Sequence, residues 1–297
     1  MPNKAKRQNF RRALQDAWHH KRGVMLVYIF LRLSVVLVLV AQLFNRNFEN
    51  VFLCVLVLFL FSMPSMLEKR LSIDLPDTLE IIILLFIYAA EILGEIGAYY
   101  IKHPYWDTAL HTLNGFLCAA IGFSLLDLLN RQKKVTFQLS PLYLAVVAFC
   151  FSMTVGIVWE FFECAMDQLF FLDMQKDIIV HEIASVKLDP TGGNTPVHLK
   201  DIVDVILVQG DGTQTALGLG GYLDIGLLDT MMDLFVNFVG ALVFSVIGYF
   251  YVRSRGKSRF AKRFIPVVSD PEVPAASPSP QIEDHTGDNS GQSSEEE

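Results

Sequence analysis

Six predominantly apolar runs, each close to the length that crosses a bilayer, constrain this chain more than any other feature. They cover about residues 24–44, 51–67, 79–100, 109–129, 142–171 and 227–252. An α-helix needs roughly 20 residues to span the hydrocarbon core. A backbone in lipid must satisfy its own hydrogen bonds, which restricts spans to helices and closed barrels. The expected fold is all-α, a polytopic membrane helix bundle of about six transmembrane helices. Composition agrees: 52% of the 297 residues are hydrophobic and only 19% charged, with mean hydropathy +0.40. The first run is too long for a cleaved signal peptide, contains Arg32, and is followed by no small-residue cleavage pattern, so it reads as a retained helix.

Lys and Arg placement orients the spans. With the N-terminus cytoplasmic, the inner segments carry 18 of the 24 basic residues, the outer ones 5, and Arg32 lies within a span. Both termini are therefore expected in the cytoplasm of a cell (inner or plasma) membrane protein. The net charge of −7 misleads, because residues 264–297 hold eight acids and no Lys or Arg; without them the net is +1. Basic residues flank the spans instead of forming a separate basic domain, which excludes nucleic acid as a partner and leaves the lipid bilayer. Residues 1–23 set Phe10, Leu14 and Trp18 at helical spacing among basic residues, the pattern of an amphipathic segment on an anionic leaflet. Residues 253–297 begin basic and continue as a Pro-, Ser- and acid-rich tail of disordered composition.

Residues 172–226 form the one long non-membrane region, an outer insertion between the fifth and sixth spans. DIIVHEI and VDVILV are strand-like, and DPTGGN and QGDG are turn signals, so a small β-rich cap is expected. QGDGT lacks the acid spacing of a calcium loop, and GLGGY lacks the Lys-Ser/Thr of a phosphate loop. Cys54, Cys118, Cys150 and Cys164 fall within spans without ligand spacing and read as structural thiols.

The chemistry concentrates in polar residues that an apolar span should exclude. An ionised side chain at mid-bilayer costs roughly 2.5–3.5 kcal/mol, so such groups face a partner or a cavity. The third span carries Glu91 and Glu95, the fourth Asp107 and His111, the fifth Glu160, Glu163 and Asp167, and the sixth Asp229, Asp233 and Asn237. Within each of the last three spans the polar residues share one helical face. Glu95 and His111 fall roughly 6–8 Å below the outer ends of their helices, Asp233 about 7–9 Å, and Glu160 near the same level. Asp107, Glu163, Asp167 and Asp229 lie at the rim above them. The layer has one base, His111, so its carboxylates need compensation. Three remedies present themselves: a divalent metal, shared protons, or a cleft for a cationic ligand. Carboxylates with one imidazole suit Zn, Mn or Fe, or Mg or Ca if His111 is no ligand.

The same residues admit structural readings. Asp107 and Asp229 have the type and position of helix N-caps. Glu163 and Asp167 suit a solvated rim, and Glu80 a solvated inner boundary. Asn237 beside Gly240 suits an interhelical packing pair. Arg32 is the available partner for Glu91. A faint internal echo, Asp-Thr-x-x-[His/Asp] followed by Asn and Gly, recurs at 106–115 and 228–240 and supports one common site.

GEIGAYYIKHPYWDTALHTLNG (94–115), IVWEFFECAMD (157–167) and LDTMMDLFVNFVGA (228–241) together resemble the YjdF-type bacterial inner-membrane proteins, an uncharacterised polytopic family, over roughly residues 50–250. Their Asp-x-x-x-His and Asp…Asn-x-x-Gly elements are distantly similar to VanZ-type proteins, associated with glycopeptide resistance. The resemblance carries over Glu95, Asp107, His111, Glu160, Glu163, Asp167, Asp229 and Asp233, and supplies membership without a mechanism.

From the residues, the leading expectation is a metal-dependent hydrolase acting on a lipid or envelope substrate at the outer side. His111, Asp107, Glu160 and Asp233 are the metal set, and these with Glu95 are the catalytic set. Glu91, Glu163, Asp167, Asp229 and Asn237 form a substrate or proton site. The alternatives are a proton-coupled transporter of a small solute and a structural or sensory membrane protein.

Overall fold

The computed structural model describes residues 21–71, 73–131, 139–254, 257–258, 261–265 and 267–268. The basic N-terminal segment through residue 20 and the acidic tail beyond residue 268 lie outside the described residues. The chain is a helical bundle, and among the described residues five stretches are long and apolar enough to cross a membrane: Arg22–Phe44, Phe48–Arg70, Trp106–Asp127, Pro141–Phe170 and Leu227–Arg253.

Helix α1 (Arg22–Phe44) buries Leu31 and Val35 and leaves Leu26, Phe30, Leu33 and Leu37 exposed, as lipid-facing residues must be. The chain turns through Arg46, with φ 56°, into α2 (Phe48–Leu60), whose N-terminus is capped by the Asn47 side chain accepting from Asn50 N at 3.2 Å. The expected second span breaks at Phe61–Ser62 and resumes as α3 (Met63–Leu71). Pro64 therefore sits in the first turn of a helix, where its missing N–H is no loss. The freed groups at the break find partners on α1: Tyr28 donates to the Phe61 carbonyl, and Arg32 Nη2 donates to Ser62 Oγ at 2.9 Å and to Tyr28 at 3.0 Å. These are the polar partners of Arg32, and the expected pairing with Glu91 is not formed.

The third expected span departs most. It is an α-helix, α4 (Asp77–Ile87), running directly into a π-helix, π1 (Tyr88–Ile96). It ends early because Ala98 adopts φ 56° and turns the chain into the short α5 (Tyr99–Lys102). The turn lays the Tyr100 ring against Gly94, where any side chain would collide with it.

Three long helices form the tightest part of the bundle: α6 (Trp106–Arg131), α7 (Pro141–Phe170) and α8 (Leu227–Arg253). Ser140 caps α7 and Pro141 occupies its first turn. Parallel helices α6 and α8 approach backbone to backbone. A Cβ on Gly115 would meet the Asn237 carbonyl, and one on Gly240 the Thr112 carbonyl, so only glycine permits this crossing. Asn114 Nδ2 donates to Asn237 Oδ1 at 3.3 Å across it. Antiparallel α7 closes the third side, with Ser152 Oγ donating to the Gly115 carbonyl at 2.7 Å.

Below this crossing an apolar block fills the bundle. Phe116, Phe123, Phe244 and Phe264 meet edge to face, with ring centroids 5.1–6.0 Å apart. Phe264 and Ile265 belong to a juxtamembrane segment that folds back into the core, anchored where β1 (Ile73–Asp74) pairs antiparallel with β8 (Val267–Val268). Glu80, expected in solvent, is buried beside it and ion-paired with Lys21 at 3.3 Å.

The insertion between α7 and α8 is built of short antiparallel pairs. These are β2 (Ile179–Val180) with β7 (Tyr222–Leu223), β3 (Ile183–Ser185) with β4 (Val197–Leu199), and β5 (Ile206–Val208) with β6 (Gln214–Ala216). The QGDG turn closes the last hairpin, with Asp211 accepting from Thr213 N at 2.8 Å. The four cysteines are free thiols.

Candidate metal centre

Parallel packing brings the first turns of α6 and α8 to the same level, the insertion end of the bundle, and α7 adds its last turns there. Asp107 and His111 come from α6, Asp233 from α8, and Glu160 and Glu163 from α7. The imidazole of His111 stands between them with 11% of its side chain exposed. Its Nε2 lies 3.5 Å from Asp107 Oδ1 and 3.8 Å from Asp233 Oδ2, and its Nδ1 lies 3.7 Å from Glu160 Oε1.

These separations are too long for hydrogen bonds, which run to about 3.2 Å. They match the edge of a coordination polyhedron: ligands at about 2.0–2.2 Å from a tetrahedral ion stand roughly 3.4 Å apart. Among the described residues, two sets of three have ligand atoms mutually within 4.8 Å, Asp107–His111–Asp233 and His111–Glu160–Glu163. Among the described residues no Lys or Arg ion pair reaches any of the four carboxylates. Glu160 is 4% exposed, and its Oε2 has no hydrogen-bond partner.

The remaining expected site residues divide clearly. Asp167 accepts the backbone N–H groups of Met174 and Gln175 at 2.7 and 2.8 Å. Asp229 accepts that of Lys176 at 2.8 Å. Both bind the start of the insertion to the bundle, so neither a solvated rim nor a side-chain N-cap describes them. Asp107 lies in the first turn of α6, not ahead of it. Asn237 serves the helix crossing, its Nδ2 facing Met153 Sδ at 3.6 Å. Glu91 and Glu95 ride on π1, outside both ligand sets. Glu95 is exposed, with Asp107 and Lys176 as electrostatic neighbours, and Glu91 neighbours Glu95. The expected layer of four helices is thus a site of three, with π1 at its margin.

Sequence reasoning missed Tyr100, whose electrostatic neighbours are Asp107, Glu95, Glu91 and Glu163. The usable signal was Gly94 six residues before it, the glycine on which its ring packs. It also missed a group of aromatics around α5 and the start of α6. Tyr99 packs edge-on against Trp106 and His103 at 4.9 and 4.6 Å, and with Pro104 and Tyr105 they line a cavity of about 460 Å³.

The sequence model of a family described as predicted membrane protein (DUF2238) matches residues 27–254. That range takes in every residue of the centre and all of the spans except the start of α1. No curated protein and no solved structure matches the chain.

Proposed function

The chain belongs to DUF2238, a family of predicted membrane proteins, and from that premise we propose that it is a metal-dependent hydrolase of a lipid or envelope substrate. In this reading the centre opens away from the cytosol and both termini lie inside, following the distribution of Lys and Arg. The likeness to YjdF-type and, more distantly, VanZ-type proteins belongs to the same proposal, since its three motifs contain Asp107 and His111, Glu160 and Glu163, and Asp233.

The observation that carries it is His111 Nε2 facing two carboxylate oxygens at 3.5 and 3.8 Å in a buried, acid-rich pocket. Asp107, His111 and Asp233 are three protein ligands, the number a catalytic zinc-type site uses while keeping a position open for water. Asp107, His111 and Asp233 would hold a divalent cation, which when bound would supply Lewis-acid chemistry and lower the pKa of water toward neutrality. Glu95, exposed beside Asp107, would take the proton of the attacking water and deliver it to the leaving-group oxygen as the ester bond breaks. In this reading the aromatic group of Tyr99, Tyr105 and Trp106, residue types that favour the membrane interface, holds a lipid-like substrate near the centre. Hydrolysis is favoured over transport by the aromatic block of Phe116, Phe123, Phe244 and Phe264, which fills the bundle directly beneath the site.

Metal analysis of the detergent-purified protein tests the reading. Protein loaded with Zn²⁺ or Mn²⁺ and then desalted is expected to retain stoichiometric metal. His111→Ala should lose it while keeping the helical circular dichroism of the parent. Wild-type protein that retains no divalent metal overturns the proposal.

A further inference from the structure

We infer that His111 bridges two divalent cations, the second held on its Nδ1 by Glu160 and Glu163. This deepens the metal-centre reading and rests on it. The two nitrogens of an imidazole point their lone pairs in diverging directions, so one ion cannot bind both. Asp107 and Asp233 stand on the Nε2 side, and Glu160 stands on the Nδ1 side. The four-ligand set expected from sequence is therefore split by the ring itself and cannot enclose one ion.

Three observations favour a cation on the Nδ1 side. The first is distance: a metal-bound histidine ordinarily donates its other N–H to a carboxylate, but Nδ1 and Glu160 Oε1 are 3.7 Å apart, beyond hydrogen-bond range and near the edge of a coordination polyhedron. The second is Glu160 Oε2, a buried acceptor without a hydrogen-bond partner on a residue only 4% exposed. The third is Glu163, also buried, whose Oε1 accepts from Trp159 Nε1 at 2.8 Å. That bond fixes the carboxylate through one of its two oxygens.

Charge points the same way. Asp107, Asp233, Glu160 and Glu163 place four carboxylates around one imidazole, and a single divalent ion compensates only half of them. Two divalent ions match all four. Asp167 and Asp229 stay out of this balance because backbone N–H groups already satisfy them. A neutral imidazole shared by two cations gives up its single N–H proton to solvent and binds each ion through a ring nitrogen, so the imidazolate adds its own negative charge to those of the carboxylates.

Loading the full-length protein with Zn²⁺ in detergent, removing free ion and measuring zinc per chain decides the matter. Two ions per chain are expected, falling to one in Glu163→Gln and to one in Asp233→Asn. Copper gives a second readout: Cu²⁺ at both positions of one imidazolate should couple magnetically, and its paramagnetic resonance signal should fall in wild type but not in Glu163→Gln. One ion per chain in wild type, unchanged by Glu163→Gln, overturns the bridge and leaves the single-metal reading standing. No retained ion overturns both. Two ions that both survive Glu163→Gln locate the second elsewhere and also overturn the bridge.

Discussion

At the scale of the residue, the acids of α7 and α8 are alike in sequence and unlike in use. Asp167 and Asp229 meet backbone N–H groups, whereas Glu160 and Asp233 meet an imidazole at a distance no hydrogen bond spans. Helical spacing places Glu160, Glu163 and Asp167 on one face of α7 in advance. It does not tell which of them is satisfied locally, because the donors come from the loop at residues 174–176. Asp167→Ala removes the acceptor of two N–H groups. It is expected to destabilise the fold by about 2 kcal/mol, the cost of hydrogen bonds to a charged group. Thermal unfolding in detergent should show the loss while zinc content stays at the wild-type value. A loss of zinc alongside it would place Asp167 in the centre instead.

At the scale of the element, the centre depends on how closely α6 and α8 cross. Gly115 and Gly240 each face the partner backbone, and the contact sets the level at which His111 meets Asp233. Gly240→Ala forces a methyl against the Thr112 carbonyl. Overpacking of this kind costs about 1–3 kcal/mol, and the displaced ligands should weaken zinc affinity by about tenfold, as loss of a metal site's support does. Titration calorimetry beside thermal unfolding checks both, with Gly23→Ala as the control, since an added methyl there meets nothing within 4 Å. An Asn and a Gly following each acid were visible as an internal echo. That they clasp each other across one crossing follows only from parallel packing. π1 was legible merely as apolar length, because hydropathy does not distinguish i→i+4 from i→i+5 hydrogen bonding.

At the scale of the whole molecule, the two ends of the bundle hold their charges by opposite means. The insertion end gathers carboxylates around an imidazole. The far end gathers Glu68, Asp74 and Glu80 around Lys21, at 2.9, 3.1 and 3.3 Å, and ties the start of α1 to α3, β1 and α4. Burial opposes the charge on Lys21, but the hydrogen bonds and charges of Glu68, Glu80 and Asp74 outweigh it and hold the ammonium above its usual range. A raised lysine pKa gives stability that is complete below the unfolded value of about 10.4 and declines as pH rises toward the folded value. The melting temperature should therefore hold through neutral pH and fall in the alkaline range. Lys21→Met should lower the melting temperature at pH 8, through a loss of about 3 kcal/mol of stability for stranding a buried acid, and remove that alkaline slope. An unchanged slope in the variant would assign the alkaline loss to other groups.

The sequence alone determined the apolar lengths, and with them the helical membrane class, since lipid leaves a backbone no other way to satisfy its hydrogen bonds. It also determined which helix faces carry acid, because spacing along one helix is a local property. Only tertiary structure decided that Asp107, His111, Glu160, Glu163 and Asp233 converge, that Asp167 and Asp229 hold a loop, and that Phe264 returns to the core. Each of those outcomes depends on contacts between segments distant in the chain, where packing and charge compensation, not local periodicity, select the partner.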